Sequence, residues 1–193
     1  MSFQNFELDS KLLKAIEESG YTDPSDIQQQ AIPPIIQGQD LMASAPTGTG
    51  KTAAFVLPAL QRLITNKPGN GKGPRVLVLT PTRELATQVA DNIYKFTKHV
   101  RMSSGSIVGG TPYPPQMRML KKPLDLLVAT PGRLIDHMNS GRIDFSRLEL
   151  LILDEADRML DMGFVDDVKK IEAETPDSRH TLLHSETREG EIA

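Results

Sequence analysis

The chain has 193 residues, of which 38% are apolar, and a formal net charge of −3 at pH 7. This length suits one globular domain with a sizeable core. The absence of cysteine excludes disulfides and thiolate metal sites, and it fits a cytoplasmic location. The first residues do not resemble a signal peptide, and no apolar run approaches the about 20 residues of a membrane helix.

Charge is distributed unevenly along the chain. Residues 62–147 carry 14 Lys and Arg against 5 Asp and Glu, whereas residues 1–61 carry 3 against 7 and residues 148–193 carry 5 against 13. A basic middle third on an acidic protein favours an anionic partner such as nucleic acid. An unevenly charged, solvated surface accounts for the same counts, so the counts alone leave both interpretations open.

Short apolar runs alternate with amphipathic segments along the chain. Nearly continuous Val, Ile and Leu predict strands at 41–45, 75–80, 105–110, 125–130, 148–155 and 180–186. Helical patterns occupy 10–19, 25–37, 51–65, 83–100, 131–139 and 164–174. This alternation predicts one α/β domain over residues 1–193, with a mostly parallel central sheet and helices on both faces.

The stretch ASAPTGTGKT, residues 43–52, nearly matches the phosphate-binding pattern G-x-x-x-x-G-K-[ST], with Ala45 in place of the first glycine. It lies between a predicted strand and a predicted helix, where backbone N–H groups and the helix N-terminus attract phosphates. Lys51 would reach the β- and γ-phosphates and Thr52 would ligate Mg²⁺. An ordinary glycine turn before a helix is disfavoured by the intact G-K-T. The predicted nucleotide cradle comprises Pro46, Thr47, Gly48, Thr49, Gly50, Lys51 and Thr52.

Residues 150–157, LLILDEAD, place adjacent acids at the end of a predicted buried strand. Open parallel sheets bind ligands at this end. Asp154 would hold Mg²⁺, directly or through water, and Glu155 would activate the attacking water, so that both, with Lys51, are candidate catalytic residues. An acidic first turn of the next helix is the alternative, and the phosphate loop favours the catalytic interpretation.

The run Asp154-Glu155-Ala156-Asp157 spells D-E-A-D, and it accompanies a loop of the form A-x-T-G-x-G-K-T. With these motifs the chain resembles the first RecA-like domain of DEAD-box RNA helicases, most like the bacterial members. The resemblance extends over nearly the whole chain and implies a RecA-like P-loop fold, ATP and Mg²⁺ as cofactors, and RNA as a partner.

Three further segments carry the resemblance. PTRELA (81–86) is similar to motif Ia, GG (109–110) to the glycine doublet, and TPGR (130–133) to motif Ib. PTRELA and TPGR each follow a predicted strand and open a helix, which suits phosphate contacts. The resemblance implies that these segments contact the backbone of single-stranded RNA through Pro81, Thr82, Arg83, Gly109, Gly110, Thr130, Pro131, Gly132 and Arg133.

The segment GYTDPSDIQ, residues 20–28, is similar to the family's Q motif, and Phe3 matches its upstream aromatic residue. The resemblance implies that Gln28 reads the adenine edge and that Tyr21 stacks on the ring. Ser25-x-x-Gln28 is also a capping box, in which Gln28 bonds back to the Ser25 backbone. The two roles are compatible, because the amide has several bonding sites.

Ser185-Glu186-Thr187 stands where the family has S-A-T, and His184 where a phenylalanine is usual. The resemblance implies that Ser185, Thr187 and Asp157 couple hydrolysis to strand separation. Glu186 fits poorly, because like charges destabilise each other near the D-E-A-D acids. Either Glu186 turns outward or the tail is frayed. Our hypothesis is that Glu186 weakens coupling and the Mg²⁺ site without abolishing nucleotide binding.

The family's active unit has two RecA-like domains, the second of which supplies an arginine finger. The resemblance therefore implies that this chain is a first domain that binds adenine nucleotide and hydrolyses ATP hardly at all. We expect a monomer, since no long exposed apolar stripe demands a dimer. The alternative is a non-catalytic module that binds nucleotide or protein on the same fold. A small-molecule kinase would leave PTRELA, TPGR and D-E-A-D unexplained together.

Overall fold

A single parallel sheet forms the centre of the domain. The computed structural model describes residues 2–44 and 50–185. The strands are β1 Leu41–Ser44, β2 Val76–Leu79, β3 Ser104–Ile107, β4 Leu126–Ala129, β5 Leu150–Leu153 and β6 His180–Ser185. Their order is β1-β6-β5-β2-β4-β3, and all five pairings are parallel. The predicted RecA-like α/β architecture is confirmed.

Helices connect the strands and cover both faces of the sheet. They are α1 Ser10–Glu18, α2 Asp26–Ile36, α3 Lys51–Thr65, α4 Arg83–Phe96, α5 Tyr113–Leu120, α6 Pro131–Asn139, α7 Ala156–Asp161 and α8 Val165–Ala173. A short 3₁₀ helix, Phe3–Phe6, precedes them. All six predicted helices are present. Helix α4 ends four residues before the predicted end, because Thr97 leaves the helical conformation, with φ of −100° and ψ of 13°.

Two helices were missed by the sequence patterns. Helix α5 begins with Tyr-Pro-Pro, and its prolines suit the first helical turn but interrupt any apolar periodicity. Helix α7 has six residues, too few to display a helical repeat. Short helices of this kind depend on tertiary packing rather than on their own periodicity.

The sheet separates two apolar cores. Helices α1–α4 pack on one face with Val76 and Val78 of β2, whereas α5–α8 pack on the other face with Leu77 and Leu79. Successive side chains of a strand point to opposite faces. Because both faces are covered, β2, β4 and β5 are buried at every position, which explains their uninterrupted apolar sequences.

Candidate functional site

The candidate residues meet at the carboxyl edge of the sheet. In β2, β5 and β6, the register aligns the residues that precede Thr80, Asp154 and His184. These three residues therefore form one row across the middle of the edge. Helix α3 begins beside this row, since β1 pairs with β6. The fold thus brings the acidic pair next to the start of the phosphate-loop helix.

The described part of the phosphate loop has the geometry of a helix start. Gly50 is the N-cap of α3 and adopts the left-handed conformation, with φ of 76°. Lys51 and Thr52 form the first turn and are partly buried. The exposed N–H groups and dipole of this turn favour an anion. Pro46, Thr47, Gly48 and Thr49, together with Ala45, lie outside the described residues.

Lys51 and Glu155 form an ion pair that joins the phosphate loop to the acidic strand end. The side chains retain 11% and 4% of their exposure, respectively. Such a pair is desolvated, so each charge depends on the other for compensation. A phosphate bound at the start of α3 would offer Lys51 a second anionic partner.

Glu155 adopts an unusual backbone conformation. Its φ of 55° lies in the left-handed region, where the only other non-glycine residue among those described is Glu7. This conformation costs a non-glycine residue roughly 1–2 kcal/mol. Glu155 is also the N-cap of α7. The strained turn is therefore what allows the chain to leave β5, start α7 and still direct the carboxylate of Glu155 to Lys51.

Asp154 contacts His184 of the neighbouring strand. The His184 Nδ1 lies 3.1 Å from Asp154 Oδ1, and the two residues are 4% and 2% exposed. The His184 ring also packs against Phe55 of α3, with centroids 6.2 Å apart. An ionised carboxylate only accepts hydrogen bonds, so Nδ1 would be the donor to an ionised Asp154. The sequence shows His184 only as a departure from the usual phenylalanine, and it does not predict the contact with Asp154.

Several buried polar atoms at this edge have no hydrogen-bond partner among the described residues. They are Thr80 Oγ1, Glu155 Oε2, His184 Nε2 and Ser185 Oγ. Buried polar groups are normally satisfied, so this concentration indicates a place where a polar ligand or water belongs.

The donor set fits Mg²⁺. Asp154 and Thr52 would supply oxygen ligands, which this ion prefers, and it commonly uses one or two carboxylates with substrate phosphates. No cluster of three or more His, Cys, Asp or Glu suited to a metal occurs in the described part of the chain.

Gln28 connects the Q-motif segment to the phosphate loop. Its Oε1 accepts from the Ser25 backbone N–H at 2.9 Å, and the Ser25 hydroxyl accepts from the Gln28 N–H at 3.4 Å, which completes the predicted capping box. Its Nε2 donates to the Gly50 carbonyl at 3.1 Å. Gln28 is 2% exposed. The capping role is therefore present, and each polar atom keeps one further bonding site.

Tyr21 belongs to an aromatic cluster. Its ring centroid lies 6.4 Å from that of Phe3 and 5.8 Å from that of Phe96, and Lys95 Nζ lies 5.7 Å from it. Phe3 and Phe96 are buried, whereas Tyr21 is partly exposed. The upstream Phe3 thus supports Tyr21 by edge-to-face packing. Stacking of Tyr21 on adenine stays a prediction.

The three predicted RNA segments are contiguous at the other half of the edge. Thr130 Oγ1 accepts from the Gly109 N–H at 3.3 Å. A Cβ on Gly110 would lie 3.2 Å from Arg83 Nη1. Thr82 caps α4 by accepting from the Leu85 N–H at 3.2 Å. Pro81 and Pro131 are buried, and Arg83 and Gly132 are exposed.

Gln116 of α5 is a hydrogen-bonding hub that sequence reasoning missed. Its Nε2 donates to the Val108 carbonyl at 3.1 Å and to Thr111 Oγ1 at 2.8 Å. Its Oε1 lies 3.1 Å from Arg133 Nη1 and 2.8 Å from His137 Nε2. Gln116 therefore joins the glycine doublet to α6. The missed α5 contained no signal for this role.

Arg133 is committed to contacts within the protein. Its Nη1 donates to the Thr111 carbonyl at 2.6 Å, and the guanidinium lies 3.8 Å from the Tyr113 ring centroid. These contacts hold α6 against the loop after β3. An RNA contact by Arg133 stays a prediction, and it would have to use the remaining N–H groups of the guanidinium.

Two titratable groups of this network have shifted pKa values. Burial lowers the pKa of His137 below its usual value, and the nearby Arg142 and Arg133 lower it further, against a smaller opposing effect of Asp136. The hydrogen bond to Asp136 raises the pKa of Tyr113, whose hydroxyl donates to that carboxylate at 2.6 Å. His137 is therefore neutral in the folded protein near pH 7.

The predicted coupling residues are only partly described. Asp157 lies in the first turn of α7, as the alternative interpretation of the acidic run required. Ser185 is the last residue of β6 and is 2% exposed. Glu186 and Thr187 lie outside the described residues, so the two explanations for Glu186 stay open.

Comparison with known proteins identifies the family. The model of the DEAD/DEAH box helicase family matches residues 25–192, and the chain belongs to this family. The chain is 47% identical over 190 residues to the ATP-dependent RNA helicase SrmB of Escherichia coli (strain K12), and this alignment covers 98% of this chain and 43% of that protein. It is 45% identical over 186 residues to the DEAD-box ATP-dependent RNA helicase RhpA of Helicobacter pylori (strain B128), and that alignment covers 96% of this chain and 37% of the relative.

The similarity to bacterial members is therefore confirmed. A further relative, the ATP-dependent RNA helicase DeaD of Escherichia coli (strain K12), is 45% identical over 187 residues, 96% of this chain and 29% of that protein. The chain thus spans less than half the length of these relatives. Within the described residues, no helix has the length and apolar character needed to cross a membrane.

Proposed function

We propose that this chain is the ATP-binding domain of an ATP-dependent RNA helicase. It binds ATP or ADP with Mg²⁺ and the backbone of single-stranded RNA, and hydrolysis and unwinding require a second RecA-like domain. The observation that carries the proposal is the Lys51–Glu155 ion pair, which joins the start of α3 to the acidic end of β5. The names of the relatives support the same activity.

In the proposed nucleotide site, different residues bind the phosphates, Mg²⁺ and adenine. The N-terminus of α3 binds the phosphates, and Lys51 exchanges Glu155 for the β- and γ-phosphates. Thr52 and Asp154 would hold Mg²⁺, which supplies charge neutralisation on the phosphate oxygens when bound. Release from Lys51 frees the Glu155 carboxylate to accept a proton from the attacking water. Gln28 and Tyr21 contribute adenine selectivity.

The RNA surface lies on the same edge. The N-termini of α4 and α6 and the glycine doublet present N–H groups to sugar and phosphate, with Arg83 as an exposed cation. Backbone contacts position RNA without reading its bases. The basic character of residues 62–147 supports this surface.

Calorimetric titration of the chain with ADP and Mg²⁺, beside GDP, tests the nucleotide site. We expect ADP to bind at least tenfold more tightly than GDP, and Gln28→Ala to abolish that preference. Gln30→Ala, an exposed glutamine of the same helix, is the matched control. Absence of ADP binding would contradict the proposal, and equal binding of ADP and GDP would restrict Gln28 to its capping role.

The catalytic part of the proposal needs a protein with both domains. We expect RNA-stimulated ATP hydrolysis there, with loss of at least a hundredfold in kcat on Glu155→Gln and retained ADP binding. A protein that binds ADP but never hydrolyses ATP would instead be the non-catalytic module.

A further inference from the structure

We infer that His184 is a positioning residue for Asp154, the candidate metal ligand. This inference rests on the proposed nucleotide site and assigns a role to a residue that the site did not otherwise use. The contact joins neighbouring strands at the carboxyl edge, with His184 Nδ1 3.1 Å from Asp154 Oδ1. The role that we assign to His184 is to act on the carboxylate of Asp154.

Burial makes this contact important for the carboxylate. Asp154 is 2% exposed, and an ionised carboxylate without donors is costly in such surroundings. Among the hydrogen bonds of the described residues, the His184 ring is the side-chain partner of Asp154, and a protonated Nδ1 would donate to the carboxylate. The bond compensates the buried charge and holds one oxygen, so that the other oxygen keeps a defined direction.

The imidazole is itself held in place. Its neighbours in β6, Leu183 and Ser185, pair with β1, and the ring packs against Phe55 of α3. A donor locked between a strand and a helix has little rotational freedom. It therefore transmits its orientation to Asp154, as hydrogen-bond partners of metal ligands commonly do.

Phenylalanine and asparagine provide a matched pair of substitutions. His184→Phe keeps a ring of similar size but removes the donor. His184→Asn places an amide N–H near the position of Nδ1 but removes the ring. A role in positioning predicts a defect in the first variant that the second relieves, whereas a role in packing predicts the reverse.

The experiment measures the ADP dissociation constant of the 193-residue chain with saturating Mg²⁺ and with a chelator. The ratio of the two constants reports how strongly Mg²⁺ supports binding. We expect His184→Phe to reduce this ratio about tenfold and to leave Mg²⁺-free ADP binding within about twofold. His184→Asn recovers most of the loss. An unchanged ratio in His184→Phe, or no recovery in His184→Asn, overturns the inference.

A second readout does not need nucleotide. Nitrogen-15 NMR of the ligand-free chain identifies the tautomer of His184, assigned by its loss in His184→Phe. We expect a protonated Nδ1, and an unprotonated Nδ1 overturns the inference even if a variant folds poorly. Failure of the wild-type chain to bind ADP overturns the proposed function and this inference together. Normal Mg²⁺ support in both wild type and His184→Phe overturns this inference alone.

Discussion

Among single residues, Gly50 places a steric constraint on the candidate nucleotide site. It has φ of 76°, and an added Cβ would lie 2.6 Å from Gln28 Nε2. Glycine is therefore required twice, for its conformation and for the close approach of Gln28. The same glycine carbonyl accepts the Gln28 hydrogen bond, so the Q-motif segment and the phosphate loop meet at this residue.

We expect Gly50→Ala to lower the free energy of unfolding by about 2 kcal/mol, from left-handed strain and displacement of Gln28. It also weakens ADP binding. Urea unfolding and calorimetry measure the two effects. Gly132→Ala is the control, because its Cβ would meet nothing within 4 Å and its φ is not positive. Equal losses in both variants would contradict the argument.

His137 makes stability depend on pH. Its pKa is lowered by burial and by Arg142 and Arg133, against Asp136. As the pH falls, the unfolded chain therefore takes up a proton on this histidine before the folded protein does. The contribution of neutral His137 to the free energy of unfolding is fully present above the unfolded pKa of about 6.5, and it is lost as the pH falls below that value. Gln116, which faces the other ring nitrogen, is uncharged.

The expected result is a steeper loss of unfolding free energy between about pH 7 and about pH 5 in the wild-type chain than in His137→Gln. Urea unfolding at a series of pH values measures the slopes. Asn139→Ala, an exposed substitution in the same helix, should keep the wild-type slope. If His137→Gln also kept it, another group would be responsible for the pH dependence.

Among the secondary-structure elements, α5 connects the segments that form the predicted RNA surface. Gln116 joins α5 to the glycine doublet and to α6, and Arg133 connects α6 back to the Thr111 carbonyl. The elements that carry the predicted RNA contacts are therefore arranged by a helix that makes none of them. Their relative positions depend on one buried amide, which is 6% exposed.

Gln116→Ala should lower the free energy of unfolding by about 2–3 kcal/mol, because it leaves several buried groups without their partner. It should also weaken single-stranded RNA binding about tenfold and leave ADP binding unchanged. Fluorescence anisotropy with a labelled RNA and calorimetry with ADP separate the two sites. Gln30→Ala is again the exposed control. A variant with parallel losses at both sites would mean that α5 supports the whole edge.

At the scale of the whole molecule, the charge distribution and the fold act together. The basic middle third contains the segments from β2 to α6, which make up one half of the carboxyl edge. The acidic ends contribute Asp154, Glu155 and the Q-motif segment. The fold therefore places the proposed RNA surface beside the proposed metal site on a chain whose net charge is −3.

RNA binding should fall steeply with salt, by about tenfold or more between 50 and 200 mM if about three phosphates are contacted. Arg83→Ala should reduce the slope of log K against log salt by about 0.7, the value for one phosphate of a single strand. Lys169→Ala, an exposed cation of α8 in the acidic third, should not change it. A slope unaffected by Arg83→Ala would remove that residue from the RNA surface.

Contiguous sequence patterns were sufficient to predict the class of fold and the family, and they supplied the motifs of the candidate site. Buried parallel strands require uninterrupted apolar runs, and the phosphate loop and the D-E-A-D run are contiguous motifs that local sequence reveals. It also predicted the Ser25–Gln28 capping box, because both partners lie three residues apart. Features that depend only on residues close together in the chain can be predicted from the sequence.

The tertiary structure alone decided which distant side chains meet. Lys51 pairs with Glu155, His184 with Asp154, and Gln116 with Arg133 and His137. No local pattern predicts these contacts, since they depend on strand order and on the crossovers that fold the chain. The internal contacts of Arg133 were likewise not predictable, because the local sequence does not show whether an arginine faces solvent or bonds within the protein. Long-range packing therefore determines how the motifs act as one site.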